Sequence, residues 1–281
     1  MTTMLISATE LQDILVKHSD EVVIFDCRFR LDKPQAGLEQ YLEGHIPGAW
    51  YLDLEQDLSS AVREHGGRHP LPDEHELAEK LGRIGVGEQT SVIVYDAGEG
   101  MAPRAWWLIR YLGHNRVRIL DGGLGAWESA GYNLTTNLPA PRPQKFPLQP
   151  HYDWVVYATD VEDVTIRRRQ AVLLDARTAD RYRGEVEPLD PKAGHIPGAV
   201  NAPWQDGLTA DGFWRQKAEQ QQRFAKLPAG REMIAYCGSG VTACVNLFAM
   251  ELAGIKGAKL YAGSWSDWCS YEHLPIGIGD E

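Results

Sequence analysis

Short apolar runs alternate with helical patterns along the whole chain. Runs such as EVVIFD at 21–26 and EMIAY at 232–236 contain no regular polar positions. Unbroken runs of this kind are typical of strands that are buried on both faces of a parallel sheet. The stretch after Cys237 instead has one apolar helical stripe, which ends at Gly254. Strands followed by helices in this way predict an α/β fold.

The sequence also repeats itself. GHIPGA occurs at 44–49 and again at 194–199, and VIVYD, which ends at Asp96, resembles MIAYC, which ends at Cys237. Later landmarks in the two copies keep the offset that separates Asp96 from Cys237. Such constant spacing indicates a duplicated domain.

A proline-rich stretch separates the two copies. Residues 137–150 (NLPAPRPQKFPLQP) show neither helical nor strand periodicity, which predicts an extended linker. We therefore expect one domain at 1–136 and a second at 151–281. Each domain is predicted to be a small parallel sheet flanked by helices.

The composition narrows the class of protein. With 281 residues, 43% of them hydrophobic and 24% charged, the chain has the composition of a globular protein. A net charge of −11 argues against nucleic acid or an anionic membrane as partner. The sequence has no apolar run of membrane-spanning length and no signal-peptide pattern, so we expect a cytoplasmic location. The four cysteines match no zinc-site spacing, and no metal or other cofactor is predicted.

The two copies differ at the position that could carry chemistry. The second copy has Cys237 where the first has Asp96, a carboxylate that cannot act as a sulfur nucleophile. Features shared by both copies are better explained as architecture, and His45 and His195 in the GHIPGA segments belong to this group. A general-acid role for His45 is kept as a second hypothesis.

The loop after Cys237 is made of small and hydroxyl-bearing residues: Gly238, Ser239, Gly240, Val241, Thr242 and Ala243. Its glycines allow the backbone to curl, so that N–H groups at a helix N-terminus converge on an anion. A thiol in that position ionises more readily than a free thiol. We therefore predict that Cys237 is the nucleophile, with a buried structural thiol as the alternative.

These segments resemble the rhodanese superfamily, and in particular its two-domain sulfurtransferases. GHIPGAVNAPW, CGSGVTA and GSWSDW carry the resemblance, which extends over nearly the whole chain. It implies two tandem rhodanese-like domains, of which the first is non-catalytic. It also implies that the cysteine accepts sulfur from a small anionic donor as a persulfide. The sulfur then passes to cyanide or to a thiol acceptor such as a reduced thioredoxin-like dithiol.

The loop also bears on the choice of donor. Cys-Gly-Ser-Gly-Val-Thr resembles the 3-mercaptopyruvate sulfurtransferases, whereas thiosulfate-preferring members carry Arg and Lys directly after the cysteine. By its position in DARTADRYRG, Arg181 matches the substrate-binding arginine of the family. The second arginine of that family is missing, because Leu189 stands at or next to its position. Arg183 or Lys192 could substitute, and thiosulfate stays open as the rival donor.

Two other classes of function explain fewer of these sequence features. A phosphatase loop of the Cys-x5-Arg type would need arginine where the chain has Ala243. A non-catalytic sulfur-relay or binding module would fit the first domain alone. The second domain argues against it, because it keeps both the cysteine and the glycine loop.

Overall fold

Ten strands form two parallel sheets of five strands each within residues 4–280, the part of the chain that the computed structural model describes. The first unit comprises the chain up to residue 60, 72–151 and 210–213. The second comprises 61–71, 152–209 and the chain from 214 onward. The α/β fold with two parallel sheets, predicted from the apolar runs and the repeat, is confirmed.

The first unit alternates strands and helices. Its elements are β1 (Leu5–Ile6), α1 (Ala8–Lys17), β2 (Val22–Asp26), α2 (Ala36–Glu43), β3 (Ala49–Tyr51), α3 (Glu74–Ile84), β4 (Ser91–Tyr95), α4 (Ala102–Tyr111), β5 (Val117–Leu120) and α5 (Gly123–Ser129). The strands lie in the order β1-β5-β4-β2-β3. The central strands are apolar because helices cover both faces of a parallel sheet.

The second unit repeats this plan. Its elements are β6 (Val155–Val156), α6 (Ala158–Thr165), β7 (Ala171–Asp175), α7 (Ala179–Tyr182), β8 (Val200–Asn201), α8 (Lys217–Phe224), β9 (Glu232–Tyr236), α9 (Ala243–Ala253), β10 (Lys259–Tyr261) and α10 (Ser264–Trp268). The strand order β6-β10-β9-β7-β8 matches that of the first sheet position for position.

The Asp-x-Arg sequence at the end of β2 and of β7 forms the same buried ion pair in both units. Arg28 pairs with the buried carboxylate of Asp26 at 2.6 Å, and Arg177 pairs with Asp175 at the same distance. Each arginine also donates to a carbonyl of the GHIPGA segment, at Gly44 or Gly194. Burial alone would lower the pKa of Arg177, but pairing with Asp175 raises it above the usual arginine value.

The segment 61–71 belongs to the second unit, although it lies within the first copy of the repeat. The spacing of sequence motifs gave no indication of this placement. The segment has no helix or strand, so its position depends on contacts with distant residues. Over residues 4–280, no helix is both long and apolar enough to cross a membrane.

Candidate active site

Cys237 lies at the carboxyl end of β9, where the chain turns toward α9. Its backbone N–H donates to Ser264 Oγ at 3.1 Å, and its carbonyl accepts the Trp265 N–H at 3.0 Å. The Gly238 carbonyl accepts the Ser266 N–H at 2.9 Å. The start of α10 therefore fixes the backbone of the loop. The cysteine side chain is buried, since Cys237 is only 2% exposed.

The Gly240 N–H points at the sulfur. It donates to Cys237 Sγ at 3.2 Å. This geometry needs glycine, because Gly240 has φ +78° and a Cβ there would lie 2.2 Å from the Ala262 carbonyl oxygen. A backbone dipole directed at Sγ stabilises negative charge on that sulfur.

The rest of the loop leads into α9. Val241 is buried, and its carbonyl accepts the Cys244 N–H at 3.0 Å. Thr242 is the N-cap residue of α9 but makes no side-chain cap hydrogen bond. Ala243 is the first helical residue and is fully buried.

A histidine that the sequence interpretation missed contacts this loop from the segment 61–71. His69 Nδ1 is 2.7 Å from Ser239 Oγ, and both residues are buried. This contact positions the Ser239 hydroxyl next to the cysteine. His69 has no counterpart in the repeat comparison and lies in a polar stretch of the first copy. In the sequence it is the central residue of Arg68-His69-Pro70, a short stretch that neither the repeat nor any periodicity marks.

The segment 61–71 is held against α10 by several independent contacts. The Gly66 N–H donates to Asp267 Oδ1 at 2.7 Å, and the Arg68 N–H donates to Ser266 Oγ at 3.1 Å. Gly67 has φ +83°, and a Cβ there would lie 2.4 Å from the Gly263 carbonyl oxygen. These contacts fix the backbone that carries His69 and the Arg68 side chain.

Two guanidinium groups flank the residue after the cysteine. A Cβ placed on Gly238 would lie 3.0 Å from Arg68 Nη2 and 3.5 Å from both terminal nitrogens of Arg181. The sequence predicted Arg181 near the loop, and the structure places it there. It predicted no role for Arg68.

Two buried carboxylates pair with these arginines. Arg181 donates to Glu187 at 2.7 Å, and its Nη2 is 3.5 Å from Asp190 Oδ2. Asp190 also forms an ion pair with Arg68. Burial raises the pKa of Asp190, and the hydrogen bond from Arg68 opposes that shift. Asp190 thus lies within ion-pair distance of both guanidiniums.

Comparison with known proteins shows the same organisation. The family of rhodanese-like domains matches the chain twice, over residues 7–130 and 160–271. A Pseudomonas aeruginosa protein named "Probable 3-mercaptopyruvate sulfurtransferase" is 48% identical over 266 residues, which cover 92% of this chain and 93% of the relative. The chain belongs to the rhodanese family.

Other rhodaneses extend the comparison to both donors. The mouse protein named "Thiosulfate sulfurtransferase" is 34% identical over 241 residues, covering 82% of this chain and 79% of that protein. The crystal structure of the 3-mercaptopyruvate sulfotransferase SseA from Escherichia coli is 34% identical, with a TM-score of 0.81. The match covers 94% of this chain and all of SseA. The predicted family and sulfurtransferase class are thus confirmed.

In the first domain of this rhodanese, the side chain of Asp96 accepts the backbone N–H groups of the corresponding loop. Asp96 Oδ2 accepts the N–H groups of Met101 and Ala102 at 2.7 and 2.8 Å, and Oδ1 accepts that of Gly98 at 2.9 Å. Burial raises the pKa of Asp96, while these N–H donors lower it. The same loop position thus gathers amide donors around a side chain in the first copy as well.

Three other residues considered in the sequence lie elsewhere in the rhodanese fold. His45 Nδ1 is 2.7 Å from the Tyr41 carbonyl and Nε2 is 3.2 Å from that of Asn137, within the first unit. These contacts fit its architectural interpretation. Arg183 pairs with Glu185 at 2.7 Å, and Lys192 Nζ donates to the Tyr271 carbonyl at 3.2 Å.

Proposed function

We propose that this sulfurtransferase takes sulfur from 3-mercaptopyruvate through a persulfide on Cys237. The observation that carries the proposal is the Gly240 N–H directed at Cys237 Sγ, beside two guanidinium groups at Gly238. The first feature suits a sulfur anion and the second suits the donor carboxylate. The loop sequence, without Arg or Lys directly after the cysteine, favours this donor over thiosulfate.

The first half-reaction transfers one sulfur. The Cys237 thiolate attacks the donor sulfur and forms the S–S bond of a persulfide. The C–S bond of the donor breaks, and its electron pair stays on carbon as the enolate of pyruvate, which then takes up a proton. Arg181 holds the donor carboxylate, and the hydroxyl of Ser239, two residues after the nucleophile, is positioned by His69.

The second half-reaction returns the cysteine to its starting state. A nucleophilic acceptor attacks the outer sulfur, and the S–S electron pair returns to Cys237 as thiolate. Cyanide would leave as thiocyanate, and a reduced dithiol of the thioredoxin type would become a disulfide and release sulfide. The acceptor and the cytoplasmic location stay predictions from the sequence.

Intact-mass analysis of the full chain tests the proposal. After treatment with 3-mercaptopyruvate we expect an adduct of about 32 Da, one sulfur, which cyanide removes. The Cys237→Ser variant should show neither the adduct nor turnover, whereas Cys244→Ser, a matched change on the buried face of α9, should retain both. Full turnover by Cys237→Ser would refute the proposal.

The choice of donor is tested separately. We expect kcat/KM to be higher for 3-mercaptopyruvate than for thiosulfate, because kcat/KM measures the stabilisation of the transition state for each donor. A higher kcat/KM for thiosulfate would establish the rival donor and leave the role of Cys237 unchanged. The absence of any adduct with either donor would support the non-catalytic module.

A further inference from the structure

Arg68 reaches the site from a different part of the sequence than Arg181. Arg181 lies on α7, which follows the Asp-x-Arg element of the second copy, while Arg68 lies in the segment 61–71. Both guanidiniums nevertheless lie beside Gly238. A Cβ built on Gly238 would be 3.0 Å from Arg68 and 3.5 Å from Arg181. Both therefore lie against the backbone of the cysteine loop.

The backbone at Arg68 is rigidly held. Its N–H donates to Ser266 Oγ, and the preceding Gly67 makes so close an approach to Gly263 that only glycine fits. The Arg68 side chain is 27% exposed, so part of it is accessible to a ligand from solvent. A cation fixed in this way loses little conformational freedom when it binds an anion.

We propose that Arg68 is the second cation that binds the carboxylate of the sulfur donor. The second arginine that the family resemblance implies is missing, because the uncharged Leu189 stands at or next to its position and contacts Glu187 through its N–H. Arg68 supplies that second positive charge instead. Two guanidiniums give a planar carboxylate more directed hydrogen bonds than Arg181 alone. This inference rests on the proposed donor.

Asp190 competes with the donor for the same cation. Its carboxylate is 2% exposed and pairs with Arg68 and Arg181. Glu187, by contrast, is anchored by Arg177 at 3.3 Å and by the N–H groups of Leu189 and Asp190. An incoming carboxylate therefore displaces Asp190 from Arg68 and leaves Glu187 in place.

This competition predicts opposite effects for two substitutions. Arg68→Gln removes a cation from the donor site and should weaken binding, while Asp190→Asn removes the competing anion and should strengthen it. If Arg68 only anchored Asp190 in the fold, the two substitutions would break the same ion pair and act in the same direction.

Calorimetric titration of 3-mercaptopyruvate into the full chain with Cys237→Ser measures binding without sulfur transfer. Arg68→Gln in that background should raise Kd about 10- to 100-fold, the effect of losing a charged hydrogen bond. Arg68→Lys should raise Kd by less than Arg68→Gln does, and Asp190→Asn should lower Kd several-fold. Arg63→Gln, an exposed arginine of the same segment, should leave Kd unchanged.

A ligand without the carboxylate provides the matched control. Mercaptoacetone keeps the thiol and the ketone of 3-mercaptopyruvate but lacks the carboxylate that would pair with the guanidinium charge. We expect Arg68→Gln to change the Kd of mercaptoacetone by less than about twofold, since the substitution removes only a contact to the carboxylate.

Three results would overturn the inference: an unchanged Kd in Arg68→Gln, equal weakening of mercaptoacetone binding, or a higher Kd in Asp190→Asn. If Arg68→Gln is poorly folded by its thermal transition, Asp190→Asn decides alone. Failure of the proposed function gives a separate result. The unmodified protein, which keeps Cys237, would then form no persulfide with the donor, whatever Kd values the variants show.

Discussion

His69 and Ser239 contact each other across 170 residues of sequence, with the imidazole Nδ1 2.7 Å from the hydroxyl oxygen. Both side chains are buried, so the contact is shielded from competing water. It connects the segment 61–71 to the loop that contains the proposed nucleophile. The integrity of the site therefore depends on a residue that no local pattern marks.

Replacing Ser239 by alanine should destabilise the second unit and slow persulfide formation. A buried polar group that loses a hydrogen-bond partner costs about 1–3 kcal/mol. Urea unfolding and the rate of the mass adduct at Cys237 measure the two effects. Ser270→Ala removes a partly exposed hydroxyl that contacts His65 and the Asp267 carbonyl; it serves as the control and should cost less stability than Ser239→Ala. Equal effects of the two substitutions would contradict the importance of the buried contact.

Gly240→Ala should be among the most damaging single changes in the loop. The added Cβ would lie 2.2 Å from the Ala262 carbonyl, and the residue already has positive φ. Gly254 has φ +90° but open space around it, so Gly254→Ala carries only the conformational cost of about 1–2 kcal/mol. We expect Gly240→Ala to lose more stability than this control and to lose persulfide formation, measured by denaturation and intact mass. Similar stabilities would show that the loop can move away from Ala262.

Glu232 should make stability depend on pH. Its hydrogen bonds from Arg169, at 2.7 Å, lower the pKa of this carboxyl, and Lys259 adds to the effect. Because the folded pKa is lower than the unfolded value of about 4.3, the stabilisation is present above that value and is lost as pH falls through the folded pKa. Glu232→Gln should therefore cost up to about 1 kcal/mol at pH 7 and less at pH 3. Unfolding free energies of both proteins at the two pH values test this, and a constant difference would contradict it.

The buried thiols of Cys27 and Cys269 should be unreactive in the native protein. Burial raises the pKa of the Cys269 thiol to about 11 and that of Cys27 well above its usual range. At pH 8 only about one thousandth of Cys269 is then thiolate, the reactive form. We expect iodoacetamide to modify neither residue until the protein is unfolded in urea, as shown by peptide mass mapping. Rapid native alkylation of Cys27 would show that its unit opens readily.

Local patterns predicted most of the fold. The apolar runs located the strands β2, β4 and β9, because strands buried on both faces need continuous hydrophobic residues. The repeat predicted two sheets, and the matched strand orders confirm it. The difference between Asp96 and Cys237 marked the loop, since amide donors at a helix N-terminus follow from the local strand-turn-helix sequence.

Tertiary structure alone decided the composition of the site. The sequence places Arg68 and His69 in the first copy, whereas their contacts lie in the second unit. Contacts between residues so far apart in sequence depend on how the whole chain packs. The sequence of a polar segment without periodicity therefore does not predict them. The burial of Cys237 and the sharing of Asp190 between two arginines were fixed in the same way. Sequence determined which chemistry the loop could support, and the fold determined which charges surround it.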